Sequence, residues 1–217
     1  MSKIPKSYKQ FCGVAKALDV VGERWTLLIV RDLLLGPLRY SDLQRSLVGI
    51  TPNLLAKRLR DLCDAGVTDK DVGSERAYAL TELGMRLEPV ILGLGAFGAQ
   101  FMAEPAKGER LDPRAAALSL KRRFRGSAGE GTLMLHMGQD TFWVHFAGTR
   151  LDVKATASFP GTVFDTPQAE LFGEFPAWFP LLSGRKPLTQ LLADGALRRV
   201  GSGKLAEGFV RDLGLLV

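Results

Sequence analysis

Between Val14 and Met102 the apolar residues recur mostly at three- and four-residue spacing, whereas between Gly131 and Thr166 they fall in short β-branched and aromatic runs broken by Gly and Asp. The first pattern is that of amphipathic helices and the second that of short strands. The helical stretch predicts one helix over 14–21 and a second over 23–35, with Trp25, Leu28, Ile29 and Leu33 at core spacing and Gly36 and Pro37 as its stop. A third helix over 42–47 is capped by Ser41. A fourth opens with Thr51 as N-cap and Pro52 at the first helical position, and ends at Gly66. Two runs, 67–72 and 76–80, then flank Gly73, Ser74 and Glu75 as a hairpin, and a last helix runs from Thr81 toward Phe101. Two helices joined by a four-residue connector containing Gly, followed by a hairpin, make a helix-turn-helix with a wing.

The segment 104–113, rich in Pro, Gly and charge, reads as a linker, so the chain is expected to form two domains, 1–105 and 106–217. Beyond it, Asp112 as N-cap and Pro113 at the first helical position start a helix over 114–124 that ends in the cationic run Lys121, Arg122, Arg123 and Arg125. Runs at 132–137, 141–146, 151–157 and 161–165 read as an antiparallel meander. They are followed by a helix from Pro167 toward Leu182, a helix over 188–193, a strand over 196–200 and a helix over 204–213. One twisted sheet with helices on one face makes the fold class of the whole chain α+β.

Composition narrows the function classes. Of 217 residues 46% are hydrophobic and 24% charged, which excludes wholesale disorder. The net charge of +6 suits a polyanionic partner. It does not mark the helical half, however: 14 basic residues face 12 acidic ones up to position 105, and 15 face 11 beyond it. Two cysteines, Cys12 and Cys63, and two histidines, His136 and His145, are too few for a disulfide framework or a four-ligand structural zinc site, so no metal and no cofactor is expected. The N-terminal charges have no apolar stretch behind them, and the apolar stretch 89–103 is shorter than a membrane span. A cytoplasmic protein is expected.

At about 100° per residue, Leu55, Leu59, Leu62 and Cys63 cluster on one side of the fourth helix, with Asn53, Lys57, Arg60 and Asp61 on the other and Arg58 on the flank. An amide near the helix start suits adenine and the cations suit guanine or phosphate, the contacts of a recognition helix in the major groove. Thr51 and the free N–H groups at that helix start suit a phosphate. Arg24, Arg39, Arg45 and Arg76, at element ends, are further candidates for phosphate contact.

Other motifs fail on context. The run GLGAFG at 93–98 matches a dinucleotide fingerprint but lies inside a helical pattern, and GSGK at 201–204 lacks the upstream glycine of a phosphate loop. The three glycines at 93, 95 and 98 point instead to close helix approach in a dimer. His136 and His145 assemble no nucleophile, base and orienter, so the chain is not expected to be an enzyme.

The runs CGVAKALDVVGERWTLLIVRDL (12–33), GPLRYSDL (36–43), GITPNLLAKRLRDL (49–62) and LTELG (80–84) resemble the HxlR family of bacterial winged helix-turn-helix regulators over residues 10–102. The resemblance implies a homodimer on double-stranded DNA carrying a pseudo-palindromic operator, with terminal helices forming the dimer contact and Thr51, Pro52, Asn53, Lys57, Arg58 and Arg60 at the major groove. Gly13 stands where that family usually has Pro, and Thr68 to Asp71 is more acidic than its usual wing strand. Some members sense oxidants or electrophiles through a cysteine at the position of Cys12, whose thiol pKa would be lowered by a helix N-terminus or by Lys9 and Lys16.

The second half, in its element order and in FDTPQAELF (164–172) and LLADGALRRVG (191–201), resembles the sterol carrier protein type two fold. That likeness implies an apolar cavity, for which Phe142, Trp143, Phe164, Phe172, Phe175 and Trp178 are the lining candidates. The expected function is a transcriptional regulator whose operator affinity responds to a hydrophobic small molecule bound in the C-terminal domain. The alternative is a lipid-binding or catalytic C-terminal domain for which the winged domain serves dimerisation only.

Overall fold

The computed structural model describes residues 7–72, 76–102, 104–159 and 164–217. The chain divides into two compact units between Ile91 and Leu92, inside a helix and ahead of the charged linker.

The first unit contains α1 (Gly13–Val21), α2 (Thr26–Leu33), α3 (Tyr40–Ser46) and α4 (Pro52–Asp64), the antiparallel pair β1 (Thr68–Val72) and β2 (Ala77–Leu80), and α5 (Glu82–Met85). Leu38 bridges Tyr78, so the segment after α2 joins the hairpin edge. Its core includes Ile29, Val30, Leu33, Leu35, Leu43, Leu47, Leu55, Leu59 and Leu62; of the residues expected at core spacing, Leu28 is exposed and Trp25 and Cys63 are only half-buried. The hairpin's connecting residues 73–75 lie outside the described residues.

Local chemistry moves three helix boundaries from their expected places. The second helix starts at Thr26 because Trp25 sits at φ 79°, in the left-handed region, with Thr26 N–H closing a turn onto Glu23 O. That conformation costs a bulky residue about 1–3 kcal/mol and is held by its surroundings. The third helix begins at Tyr40 with Arg39 as N-cap, so Ser41 lies inside it. The expected helix from Thr81 to Phe101 is broken into α5, α6 (Glu88–Gly98) and a 3₁₀ turn Ala99–Phe101. The break comes from Pro89, which has no N–H to give to Met85 O and whose ring crowds that carbonyl, whereas the first turn of a new helix tolerates it.

In the second unit Asp112 caps α7 (Pro113–Arg123), accepting from Arg114 N and Ala115 N at 2.8 and 3.2 Å. A five-stranded mixed sheet has the order β5-β4-β3-β6-β7, from β3 (Glu130–Met137), β4 (Asp140–Ala147), β5 (Arg150–Ala155), β6 (Ala169–Gly173) and β7 (Arg198–Gly201). The β3, β4 and β5 hairpins are as expected, turning at Gly138 (φ 66°) and Gly148 (φ 57°). Of the fourth strand expected over 161–165, residues 161–163 lie outside the described residues, and Phe164 and Asp165 are irregular. The helix expected from Pro167 toward Leu182 is present only from Phe175 on, and Ala169–Gly173 instead pairs parallel to β3. Its buried Ala169 and Leu171 alternate with the half-buried Glu170 and Phe172, a period of two that Pro167 had masked. Then come α8 (Phe175–Leu182), α9 (Leu188–Ala193) and α10 (Gly203–Asp212). One sheet face, with Leu133, Leu135, Phe142, Val144, Phe146, Val153 and Leu171, is buried, and α7 and α10 pack on the sheet.

Candidate nucleic-acid interface

The geometry of α4 is set from behind. Leu55, Leu59 and Leu62 are buried, and Tyr40 Oη donates to Pro52 O at 2.8 Å, tying the start of α3 to the start of α4. Asp32, fully buried, accepts from Ser46 Oγ at 2.6 Å and pairs with Arg31 at 2.7 Å, which joins α2 to α3. Neither contact is legible from periodicity, since an acid between Arg31 and Leu33 in an apolar run reads as a surface position.

With that side fixed, Asn53, Lys57, Arg60 and Asp61 are exposed on the opposite face. Lys57 Nζ lies 2.6 Å from Asp61 Oδ2, one helical turn on. Arg60 and Asn53 have no such partner among the described residues. Thr51 has the extended N-cap backbone (φ −80°, ψ 149°), but its hydroxyl makes no capping bond. The first N–H groups of α4 therefore keep their donors without a side-chain acceptor, the arrangement that suits an anion. Arg39 and Arg76 are exposed, the latter at φ 51° beside the hairpin tip. Arg45 pairs with Asp42 at 3.4 Å, and Arg24 lies over the Trp25 ring.

Arg58 faces the other way. It is 7% exposed, and its guanidinium bonds Glu23 Oε2 at 2.7 Å, Asp61 Oδ2 at 3.3 Å and Arg24 O at 3.1 Å. The side chain thus clamps the left-handed turn at Trp25 onto α4. The signal was in the spacing: position 58 is three after Leu55 and four before Leu62, on the buried stripe rather than its flank.

The half of the chain that carries this helix pair is similar to known proteins. Residues 20–106 match the family model described as HxlR-like helix-turn-helix. An uncharacterized HTH-type transcriptional regulator of Mycobacterium tuberculosis, Rv3095, is 37% identical over 116 residues, spanning 47% of this chain and 73% of that protein. The chain belongs to the HxlR-like helix-turn-helix family. YkvN of Bacillus subtilis, also an HTH-type transcriptional regulator, is 33% identical over 103 residues, 45% of this chain and 87% of its own. Among solved structures, quinone-bound YodB from B. subtilis is 31% identical, covering 41% of this chain and 97% of that chain with a TM-score of 0.37. The protein is thus an HTH-type transcriptional regulator of the HxlR family. None of these relatives assigns the C-terminal half.

In this HxlR-type chain Cys12 is exposed as the N-cap of α1, where the backbone N–H groups of Ala15, foremost, and Val14 lower its pKa below that of an ordinary thiol. Cys63 is half-buried, with its sulfur 3.3 Å from Thr68 Oγ1. The six aromatic candidates of the second unit do not converge. Phe142 lies on the buried sheet face, while Trp143, its neighbour in β4, and Phe172 point to the opposite face. Phe164 lies against Trp143. Trp178 is buried on α8, donating Nε1 to His136 O and Gly173 O, and Phe175 is half-buried at the start of that helix. A surface depression of about 410 Å³ is lined by Leu192, Gly195, Leu197, Arg198 and Arg199, none of the six. His136 bonds Glu170 at 2.8 Å and stacks on Phe172, whose other contact is Arg198. No group of three or more metal-ligating side chains that could hold an ion occurs among the described residues, and no helix there is long and apolar enough to cross a membrane.

Proposed function

We propose that the protein is a homodimeric, cytoplasmic DNA-binding regulator that places α4 in the major groove of each half of a pseudo-palindromic operator. The observation that carries this reading is the exposed face of Asn53, Lys57 and Arg60 opposite the buried Leu55, Leu59 and Leu62. Asn53 reads an adenine, Lys57 and Arg60 take guanine or phosphate, and Thr51 and Pro52 bring the helix start against the backbone. Arg39 and Arg76 contact flanking phosphates, and Arg58, already held by three oxygens, orients the helix rather than touching DNA. Dimerisation is supported by exposed apolar side chains on α1, namely Val14 and Leu18, and along α6 and the turn after it, namely Val90, Leu94, Phe97 and Phe101.

Residues 1–105 form the DNA-binding and dimerisation domain, and 106–217 a sterol-carrier-like domain for an apolar effector. The strand order, with three antiparallel strands followed by a crossover to the far side of β3, supports that assignment. The exposed Cys12 thiol, its pKa lowered by the backbone N–H groups of Ala15 and Val14, is the candidate redox sensor. The test is electrophoretic retardation of the protein's own promoter fragment at low and high salt, with and without a hydrophobic extract. Retardation that weakens with salt supports DNA binding, and a shift unaffected by extract removes the effector. No retardation at low salt favours a lipid-handling or catalytic C-terminal domain.

A further inference from the structure

The sheet face turned away from α7 and α10 carries a polar group that the fold leaves unpaired. Trp143 is 8% exposed, and its buried Nε1–H has no hydrogen-bond partner among the described residues. The other buried indole, Trp178, gives its N–H to two carbonyls, so the omission at Trp143 is local. Buried donors are nearly always satisfied, and an orphan marks a place where an acceptor belongs.

The surroundings define that acceptor. Lys154 stands opposite Trp143 across β4 and β5, with Nζ 5.6 Å from the Trp143 ring centroid and 5.7 Å from that of Phe159. Phe164 closes the circuit, 5.5 Å from Trp143 and 6.3 Å from Phe159. Two aromatic rings thus flank the ammonium group, and Phe164 lies against both of them. The carboxylates of this face are already engaged, Asp152 by Arg150 at 2.8 Å and Glu170 by His136, and none pairs with Lys154 among the described residues. Phe159 and Phe164 lie on irregular chain rather than in the sheet, whereas Trp143 is held between β3 and β5.

We propose that the aromatic box of Trp143, Phe159 and Phe164 with Lys154 is a binding site for a small aromatic carboxylate. Its carboxylate accepts from Trp143 Nε1–H and pairs with the Lys154 ammonium, and its ring packs against Phe159 and Phe164. An aliphatic acid would lose the stacking and an uncharged arene the ion pair. The proposal rests on the reading that the C-terminal domain takes an effector, and places that effector on the outer face of the sheet.

The test is direct binding to the full-length protein without DNA, so that a failed operator experiment leaves it unaffected. Benzoate, benzamide and acetate are titrated by ligand-observed saturation-transfer NMR. Benzoate binding at least about tenfold tighter than either of the others supports the site. Trp143→Phe, which keeps the ring and removes the donor, and Lys154→Met, an exposed position whose change leaves the core intact, are each expected to weaken benzoate by about tenfold. Equal binding of the three probes, no benzoate binding, or benzoate binding unchanged in Lys154→Met overturns the proposal. So does unchanged binding in a folded Trp143→Phe protein.

Discussion

Asn53, Lys57 and Arg60 share one exposed face of α4 but are not equivalent as ligands for DNA. Asn53 presents a donor and an acceptor with no competing partner among the described residues, whereas Lys57 must first leave Asp61, 2.6 Å away. Asn53→Ala is therefore expected to cost about 1–3 kcal/mol at one operator base and to relax preference there, while Lys57→Ala weakens all sequences alike. Binding measured over a set of single-base operator variants separates the two. Arg58→Met acts on stability instead. Its partners Glu23 and Asp61 are about half exposed, so the lost ion pairs count little, but the Arg24 carbonyl loses its part-buried hydrogen bond and the 7%-exposed Arg58 position loses its clamp on the turn at Trp25. A loss of about 1–3 kcal/mol in chemical denaturation is expected. For Cys12 the sign follows from its N–H donors: stabilising the thiolate lowers the pKa, so the reactive fraction rises at lower pH than for a free thiol. In a Cys63→Ser protein, the rate of alkylation by iodoacetamide against pH has its midpoint below that of free cysteine, and a midpoint at or above it removes the sensing role.

At the level of elements, apolar spacing located the helix pair and the wing because each buries a continuous stripe. It misread places where one backbone group decides. Pro89 breaks the last helix, Trp25 shortens α2 through a left-handed φ, and Pro167 hid the alternation of β6. The aromatic candidates were legible as a dense set but not as a site, since neighbours in a strand point to opposite faces. The glycines of α6 are informative in another way. An added Cβ at Gly93 or Gly98 meets nothing within 4 Å, so nothing in the unit itself requires them. If α6 is the dimer contact, its exposed Leu94 and Phe97 are the buried centre of that contact. Leu94→Asp with Phe97→Asp is then expected to leave a folded monomer at micromolar concentration in analytical ultracentrifugation. A dimer that persists in the double variant means that another surface holds it.

Over the whole molecule, charge is the least specific of the signals, because the excess of basic residues is larger beyond position 105 than before it. Those later cations have structural uses. Lys121, Arg122 and Arg123 sit at the C-terminal end of α7, where the helix dipole favours them, and burial, together with Arg122, lowers the Arg123 pKa. If DNA is bound through the first unit, only its cations release counterions from the duplex. The logarithm of affinity then falls against the logarithm of salt concentration with a slope of about −0.9 per phosphate neutralised. Arg60→Gln and Arg76→Gln are each expected to reduce that slope by about one. Asn53→Ala leaves it unchanged, because an amide neutralises nothing. Lys121→Gln with Arg122→Gln also leaves it unchanged although it removes two charges, and a reduced slope in that double variant would bring the second unit onto the DNA.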